Sequence, residues 1–210
     1  MRASIALAEL AELTQVQRFW YRIYVEEMDR HLSDPLTDHH SKMLSDPLAH
    51  IGNLFVARDN QDTIIATLMT TLASDGDLGK YERLYGIDYL DAEARARSSI
   101  TTKLMVDPAY RNSRLPMLMA RTAYEFALRL GVERDYIDCN DHLVSFFTRL
   151  GYKPHRGRIV HREYGAVNSM VIQLTDTRHL RQVGSPFLKS LQRFAALPAP
   201  IAEDTNNVAA

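Results

Sequence analysis

One cysteine in 210 residues leaves no intramolecular disulfide to be made and fits a reducing compartment. With 25 basic against 26 acidic residues the net charge is −1, so the chain lacks the basic excess of a nucleic-acid binder. No apolar stretch reaches the roughly 18 residues that a membrane-spanning helix needs. At the N-terminus Glu9 and Glu12 interrupt what would otherwise be the apolar core of a signal peptide. A cytoplasmic protein with no integral membrane segment is the default that follows. No internal repeat is apparent, and 46% hydrophobic with 24% charged residues is an ordinary globular composition, so one domain is expected.

What is present is concentrated between Ser98 and Tyr152. Residues 100–106 (ITTKLMV) join β-branched and apolar side chains up to Asp107-Pro108, which predicts a strand stopped by the proline. From Leu115 the apolar positions Leu118, Met119, Phe126 and Leu130 keep helical spacing, and Gly131 supplies a C-terminal stop. Residues 136–139 read as a short buried strand, Asn140 as an N-cap, and Leu143, Phe146 and Leu150 as the inward stripe of a second helix closed by Gly151. Strand, helix, strand, helix predicts a βαβα unit with its two strands side by side.

The unit resembles the second half of the GCN5-related N-acyltransferase (GNAT) fold. That resemblance implies an α/β architecture: a mixed central sheet of six or seven strands flanked by helices, with the fourth and fifth strands splayed apart. In that family the turn after the fourth strand carries glycines whose backbone N–H groups hold the pyrophosphate of acyl-CoA at a helix N-terminus. Here the turn reads Tyr110-Arg111-Asn112-Ser113-Arg114-Leu115-Pro116: Arg111 fits, but Arg114 and Pro116 replace the glycines. A Cβ at either site and the missing N–H of Pro116 obstruct a diphosphate. The family's other signature survives as Asn140 and residues 146–152 (FFTRLGY), with Phe147 where many members have a thiolate-protonating tyrosine. Both departures suit the subset formed by long-chain N-acyl amino acid synthases and autoinducer synthases. Those take their acyl group from the phosphopantetheine arm of acyl carrier protein, which has no adenosine diphosphate.

Other segments carry the same likeness. Residues 20–28 (WYRIYVEEM) are similar to the opening helix of that subset, and residues 46–56 (DPLAHIGNLFV) to its entry into the second strand. A helix is predicted from about Leu7 to His31. A loop with a short helix between its two Asp-Pro pairs follows, and then a hairpin around residues 59–62. Residues 74–97 insert two short helices, broken at Gly86, which either roof an acyl chain or pack on the sheet. Strands near residues 158–164 and 169–174 complete the sheet. The acyltransferase domain is expected over residues 1–176, followed by a C-terminal helix and flexible tail over 177–210.

The resemblance implies that a fatty, long-chain acyl group passes from acyl carrier protein to the α-amine of an amino acid or similar small amine. The alternatives are acetyl transfer from acyl-CoA to a small amine or protein lysine, and a non-catalytic module that binds an acyl chain or carrier protein. No tightly bound cofactor is implied beyond the acyl-phosphopantetheine donor. By resemblance the backbone of Leu104, Met105 and Val106 lies at the thioester, with an N–H of that run as oxyanion donor. The fourth-strand carboxylate of the family is missing, since Ile100, Thr101 and Thr102 stand there. Candidate bases are therefore Asp38, Asp46, Glu27, His39 and His40, with His50 a further polar candidate. Arg111 and Arg114 either grip the pantetheine phosphate or are a solvated first turn. With Lys103, Arg121, Lys153, Arg156 and Arg158 they could rim a docking site for an acidic carrier protein. Asp38, His39 and His40 are too close in sequence to make a convincing metal site. Asp138 reads as structural, and Cys139 as a buried thiol rather than a nucleophile.

Overall fold

A computed structural model describes residues 3–29, 36–161 and 165–196. The chain enters as a short strand, β1 (Ser4–Leu7), not as the start of a helix. Pairing with a later strand claims those residues, a contact that local spacing cannot register. Helix α1 (Leu13–Tyr21) begins six residues later than expected from Leu7 and continues as a π-helical segment, Arg22–Glu27. Strands β2 (Thr37–Asp38) and β3 (Met43–Leu44) form a small hairpin where the Asp-Pro pairs predict a helix. The first of those pairs, with His31, lies outside the described residues. Asp46-Pro47 opens a 3-10 turn, Pro47–His50, with the Asp46 carboxylate accepting from Leu48 N–H at 2.9 Å.

Next come the expected hairpin, β4 (Asn53–Arg58) and β5 (Ile64–Leu72), and the two inserted helices, α2 (Lys80–Tyr85) and α3 (Ala92–Ala96). The βαβα unit follows as β6 (Ser98–Val106), α4 (Leu115–Arg129), β7 (Arg134–Cys139) and α5 (Val144–Leu150). Strands β8 (Lys153–His161) and β9 (Gly165–Gln173) and helices α6 (Thr177–Gln182) and α7 (Phe187–Ala195) end the described chain. Seven strands form one sheet in the order β1-β4-β5-β6-β7-β9-β8. Every pairing in it is antiparallel except β6 with β7, its fourth and fifth strands.

Two irregularities in β6 shape everything near the site. Its parallel pairing with β7 is confined to Ser98 with Arg134, Ser99 with Asp135 and Ile100 with Tyr136; beyond that rung the strands part. On its other edge β6 carries a bulge: Thr67 faces Met105 and Met69 faces Thr102, so Lys103 and Leu104 together oppose Leu68. Lys103 absorbs the bulge with a φ of +55°, a left-handed conformation that costs a side-chain-bearing residue roughly 1 kcal/mol.

The sheet separates two cores. On one face Val16, Trp20, Ile23, Tyr81, Tyr85, Met105 and Tyr136 pack together. On the other Tyr124, Ala127, Ile137, Phe147, Leu150, Tyr152 and Phe187 do so. The C-terminal helices belong to this second core: Leu180 and Phe187 are buried, and Phe187 stacks on Tyr124 with centroids 4.2 Å apart. Gly151, which ends α5, has φ +118°, and a Cβ there would stand 2.7 Å from Leu180 Cδ2, so both backbone and space require glycine. Among the described residues no helix is long and apolar enough to cross a membrane.

Candidate functional site

Where β6 and β7 part, a cavity of about 1130 Å³ passes between them. Its wall includes Ile23, Tyr24 and Tyr81 from one face of the sheet and Ala120, Ala123 and Tyr124 of α4 from the other, so the cavity joins the two faces. It reaches the surface at the exposed turn containing Arg111, Asn112, Ser113 and Arg114. The sequence candidates for donor binding, Leu104, Val106, Arg111, Arg114, Asn140 and Phe147, all line it, as does Met105. Pro116 sits in the first turn of α4, so that turn has one N–H fewer to offer a ligand.

The candidate bases fare differently, because Asp38, Asp46 and Glu27 are not on the cavity wall. Asp38 closes its own exposed turn, accepting from His40 N–H at 2.9 Å and Ser41 N–H at 3.0 Å; the Ser41 bond leads in holding its pKa below the usual value. His39 Nδ1 pairs with the Tyr21 hydroxyl at 3.0 Å, and His50 ends its turn exposed. Glu27 takes both outer nitrogens of Arg111, at 2.5 and 2.7 Å, while Arg111 Nε donates to the Val106 carbonyl at 2.8 Å. Arg22 adds a second link to the same turn through Asp107 at 2.9 Å.

Asp46 is spent on Lys103. Their side chains meet at 2.8 Å with 8% and 5% exposure, and the Trp20 and Tyr24 rings lie 5.5 Å from the ammonium. Burial works to strip the lysine of its proton, yet the charge of Asp46, with Tyr24 and Tyr81, outweighs it and raises the pKa above the ordinary value. The bulged carbonyl of Lys103 is satisfied too: Trp20 Nε1 donates to Thr67 Oγ1, which donates to that carbonyl, each at 3.0 Å. Lys103 is therefore a wall residue and not part of a basic rim. Arg121, Lys153 and Arg158 pair with Glu125, Asp176 and Asp141, and Arg156 donates to the Arg83 carbonyl.

Two other carboxylates do line the cavity: Asp135, which the sequence reading did not name, and Asp138, which it read as structural. Asp135 is buried beside the last paired rung and accepts from Ser99 at 2.6 Å, Thr101 at 2.9 Å and Tyr152 at 2.5 Å. Burial pushes its pKa up to about 6, against the lowering pull of those three hydroxyls. It fastens β6 to β7 where the split begins. Nothing in the local sequence flags it, since its partners lie 36, 34 and 17 residues away. Asp138, one strand period beyond Tyr136, shares that residue's face of the sheet. It lies on the wall with Thr102, two residues past the last paired rung, and after burial its charge contributes most to the raised pKa of Tyr85. Cys139 is a buried thiol, pushed up to about 12 by burial.

A seven-stranded sheet split between its fourth and fifth strands, with a helix starting at the mouth and a cavity reaching both faces, is the GNAT fold. Among solved structures, the ternary complex of TofI with an inhibitor and MTA superposes with a TM-score of 0.65 at 16% identity, over 90% of this chain and all of that one. The CoA-dependent acyl-homoserine lactone synthase BjaI gives 0.64 at 13%, over 90% and 93%. ElaA from Escherichia coli gives 0.56 at 14%, over 82% and 99%. Comparison with curated protein sequences finds no match. The model of the FeeM family, N-acyl amino acid synthase, matches residues 15–175. The chain belongs to that family and is an N-acyltransferase.

Proposed function

We propose that this enzyme moves a fatty acyl group from the phosphopantetheine arm of acyl carrier protein to the α-amine of an amino acid or a similar small amine. The observation that carries the reading is the cavity through the β6–β7 split, which admits two reactants from opposite faces of one sheet. Aminolysis of a thioester is intrinsically easy, and holding amine and carbonyl in line supplies several kcal/mol of the barrier reduction. The amine nitrogen attacks the thioester carbon, the C–N bond forms, the C–S bond breaks, and the pantetheine leaves as its thiol by taking the proton that the acylated nitrogen sheds. The backbone around Met105 faces the developing oxyanion. Of the carboxylates, Asp138 is on the wall on the acceptor side, and we assign it the ammonium proton, taken directly or through water. The Lys103–Asp46 pair lies beside the same wall and gives the acceptor side a polar surface without net charge.

A carrier-protein donor is supported by the turn itself, where Arg114 and Pro116 occupy the positions that a diphosphate needs clear. The test offers the purified enzyme one acyl chain on acyl carrier protein and on CoA, with a mixture of amino acids, and detects N-acyl products by mass spectrometry. The carrier-protein substrate is expected to give at least a tenfold higher kcat/KM. Equal or better use of acyl-CoA removes the carrier-protein assignment.

A further inference from the structure

We infer that Tyr85 is a positioning residue for the acceptor-side base: its hydroxyl donates to Asp138 and holds that carboxylate toward the split, ready to take a proton. The inference deepens the acyl-transfer reading and rests on it, because that reading assigns Asp138 the proton of the acceptor ammonium. Tyr85 belongs to the inserted helix α2 and is 2% exposed. Its ring stacks on Tyr81 and on Tyr136, with centroids 5.9 and 5.8 Å apart and planes 12° and 19° from parallel. Its carbonyl pairs with His155 Nε2 at 2.8 Å, and Gly86, with φ +72°, ends the helix directly after it. Ring and backbone are both fixed, and the hydroxyl with them.

That hydroxyl is buried and has no hydrogen-bond partner among the described residues. A buried donor left without an acceptor is costly, so one held this rigidly calls for a partner. The carboxylate at hand is Asp138, one strand period beyond Tyr136 and on the face of the sheet that Tyr85 packs against. Bonds of this kind are often long in a free enzyme and tighten when substrate arrives. Burial first, and then the charge of Asp138, raise the phenol well above its ordinary pKa, so Tyr85 keeps its own proton and cannot take that of the ammonium. A donor beside a carboxylate favours the ionised form, which is the form that accepts the proton leaving the amine nitrogen. Also packed on this face are Tyr24, Tyr81, the Lys103–Asp46 pair and His155, whose ring lies 5.1 Å from that of Tyr136. Asp135 and Cys139 occupy the opposite face, and Asp141, past the end of β7, pairs with Arg158. The insertion that carries α2 thus has a task beyond packing on the sheet.

The test follows the aspartate carboxyls of the isotopically labelled full-length protein by NMR as pH is changed, with the Asp138 signal identified by its loss in Asp138→Asn. Tyr85→Phe keeps the ring and its stacking, and thermal melts check that it is folded. It is expected to move the midpoint of the Asp138 signal to higher pH by about one pH unit. The acid limb of kcat/KM for the amine, measured with a carrier-protein donor, should move with it. Imidazoles titrate near neutral pH, so His155→Gln is the control and should leave both in place. Where the Phe variant does not fold, fluorinated tyrosine incorporated at position 85 decides: as a stronger donor it should move the midpoint to lower pH. An unmoved midpoint in a folded variant, or a moved midpoint with an unmoved acid limb, overturns the inference. A midpoint that moves in an enzyme that transfers to no amine would instead overturn the function proposed above and leave the contact between Tyr85 and Asp138 standing.

Discussion

The two sides of the β6–β7 split are made of different materials. One side holds a buried lysine–aspartate pair ringed by Trp20, Tyr24 and Tyr81, with Asp138 across the gap. The other is apolar, built on the alanine face of α4 with Tyr124, Phe147 and Tyr152. A single sheet thus keeps a polar chamber and an apolar tunnel apart, and joins them only where its parallel strands stop pairing. Such a division suits an amphiphilic product, whose charged head and apolar tail need opposite surroundings. The lesson is that the position of the split matters as much as the residues around it. Asp135 on the tunnel face and the Lys103 bulge on the polar face together set that position.

The comparison breaks most severely at the ion pair. Lys103→Met leaves Asp46 charged, buried and unpaired, and is expected to cost about 3–5 kcal/mol in urea unfolding. The double substitution Lys103→Met with Asp46→Leu should restore most of that stability without restoring activity; recovered activity would show that the pair is only structural. Asp135 tests the opposite face. Its native pKa of about 6 lies above the ordinary aspartate value. The native state therefore binds the extra proton between about pH 4 and pH 6. Stability should fall by up to about 3 kcal/mol as pH rises through that window. Asp135→Asn removes that slope, and an unchanged slope in urea titrations would contradict the assignment.

On the tunnel side, Ala120→Phe fills the channel. It should cost about 1–3 kcal/mol in stability and abolish binding of acyl chains while acetyl-pantetheine still binds. At the mouth the effect is smallest: Glu27→Gln breaks a partly exposed pair, so stability should change by less than about 1 kcal/mol. The freed Arg111 should then lower KM for the carrier-protein donor. A raised KM would mean that the Glu27–Arg111 pair holds the mouth in its working shape.

Much of this organisation was legible in the sequence because it is local. The strand ending at Asp107-Pro108, the apolar face of α4 and the glycine stops at Gly131 and Gly151 each depend on residues within a few positions of one another. The donor-side wall, from Leu104 to Phe147, belongs to that same unit. The elements misread were those decided from a distance. Residues 4–7 became a strand because β4 offered an edge, and the segment before Asp46 became a hairpin although its prolines suggested a helix. The same holds for chemistry. Asp38, Asp46 and Glu27 were plausible bases by proximity in a polar loop, but each has a partner that only the fold supplies: its own turn, Lys103 and Arg111. Asp138 was read as structural and Asp135 was not named, because alternation on a strand does not say which face opens onto a cavity.

The most direct measurement is a structure of the enzyme bound to a non-hydrolysable decanoyl-pantetheine analogue. The arm is expected between β6 and β7, its carbonyl oxygen within hydrogen-bond distance of the β6 backbone near Met105, and the chain beneath α4. An arm lying outside the split, or a chain turned toward Trp20 and Tyr24, would contradict that placement.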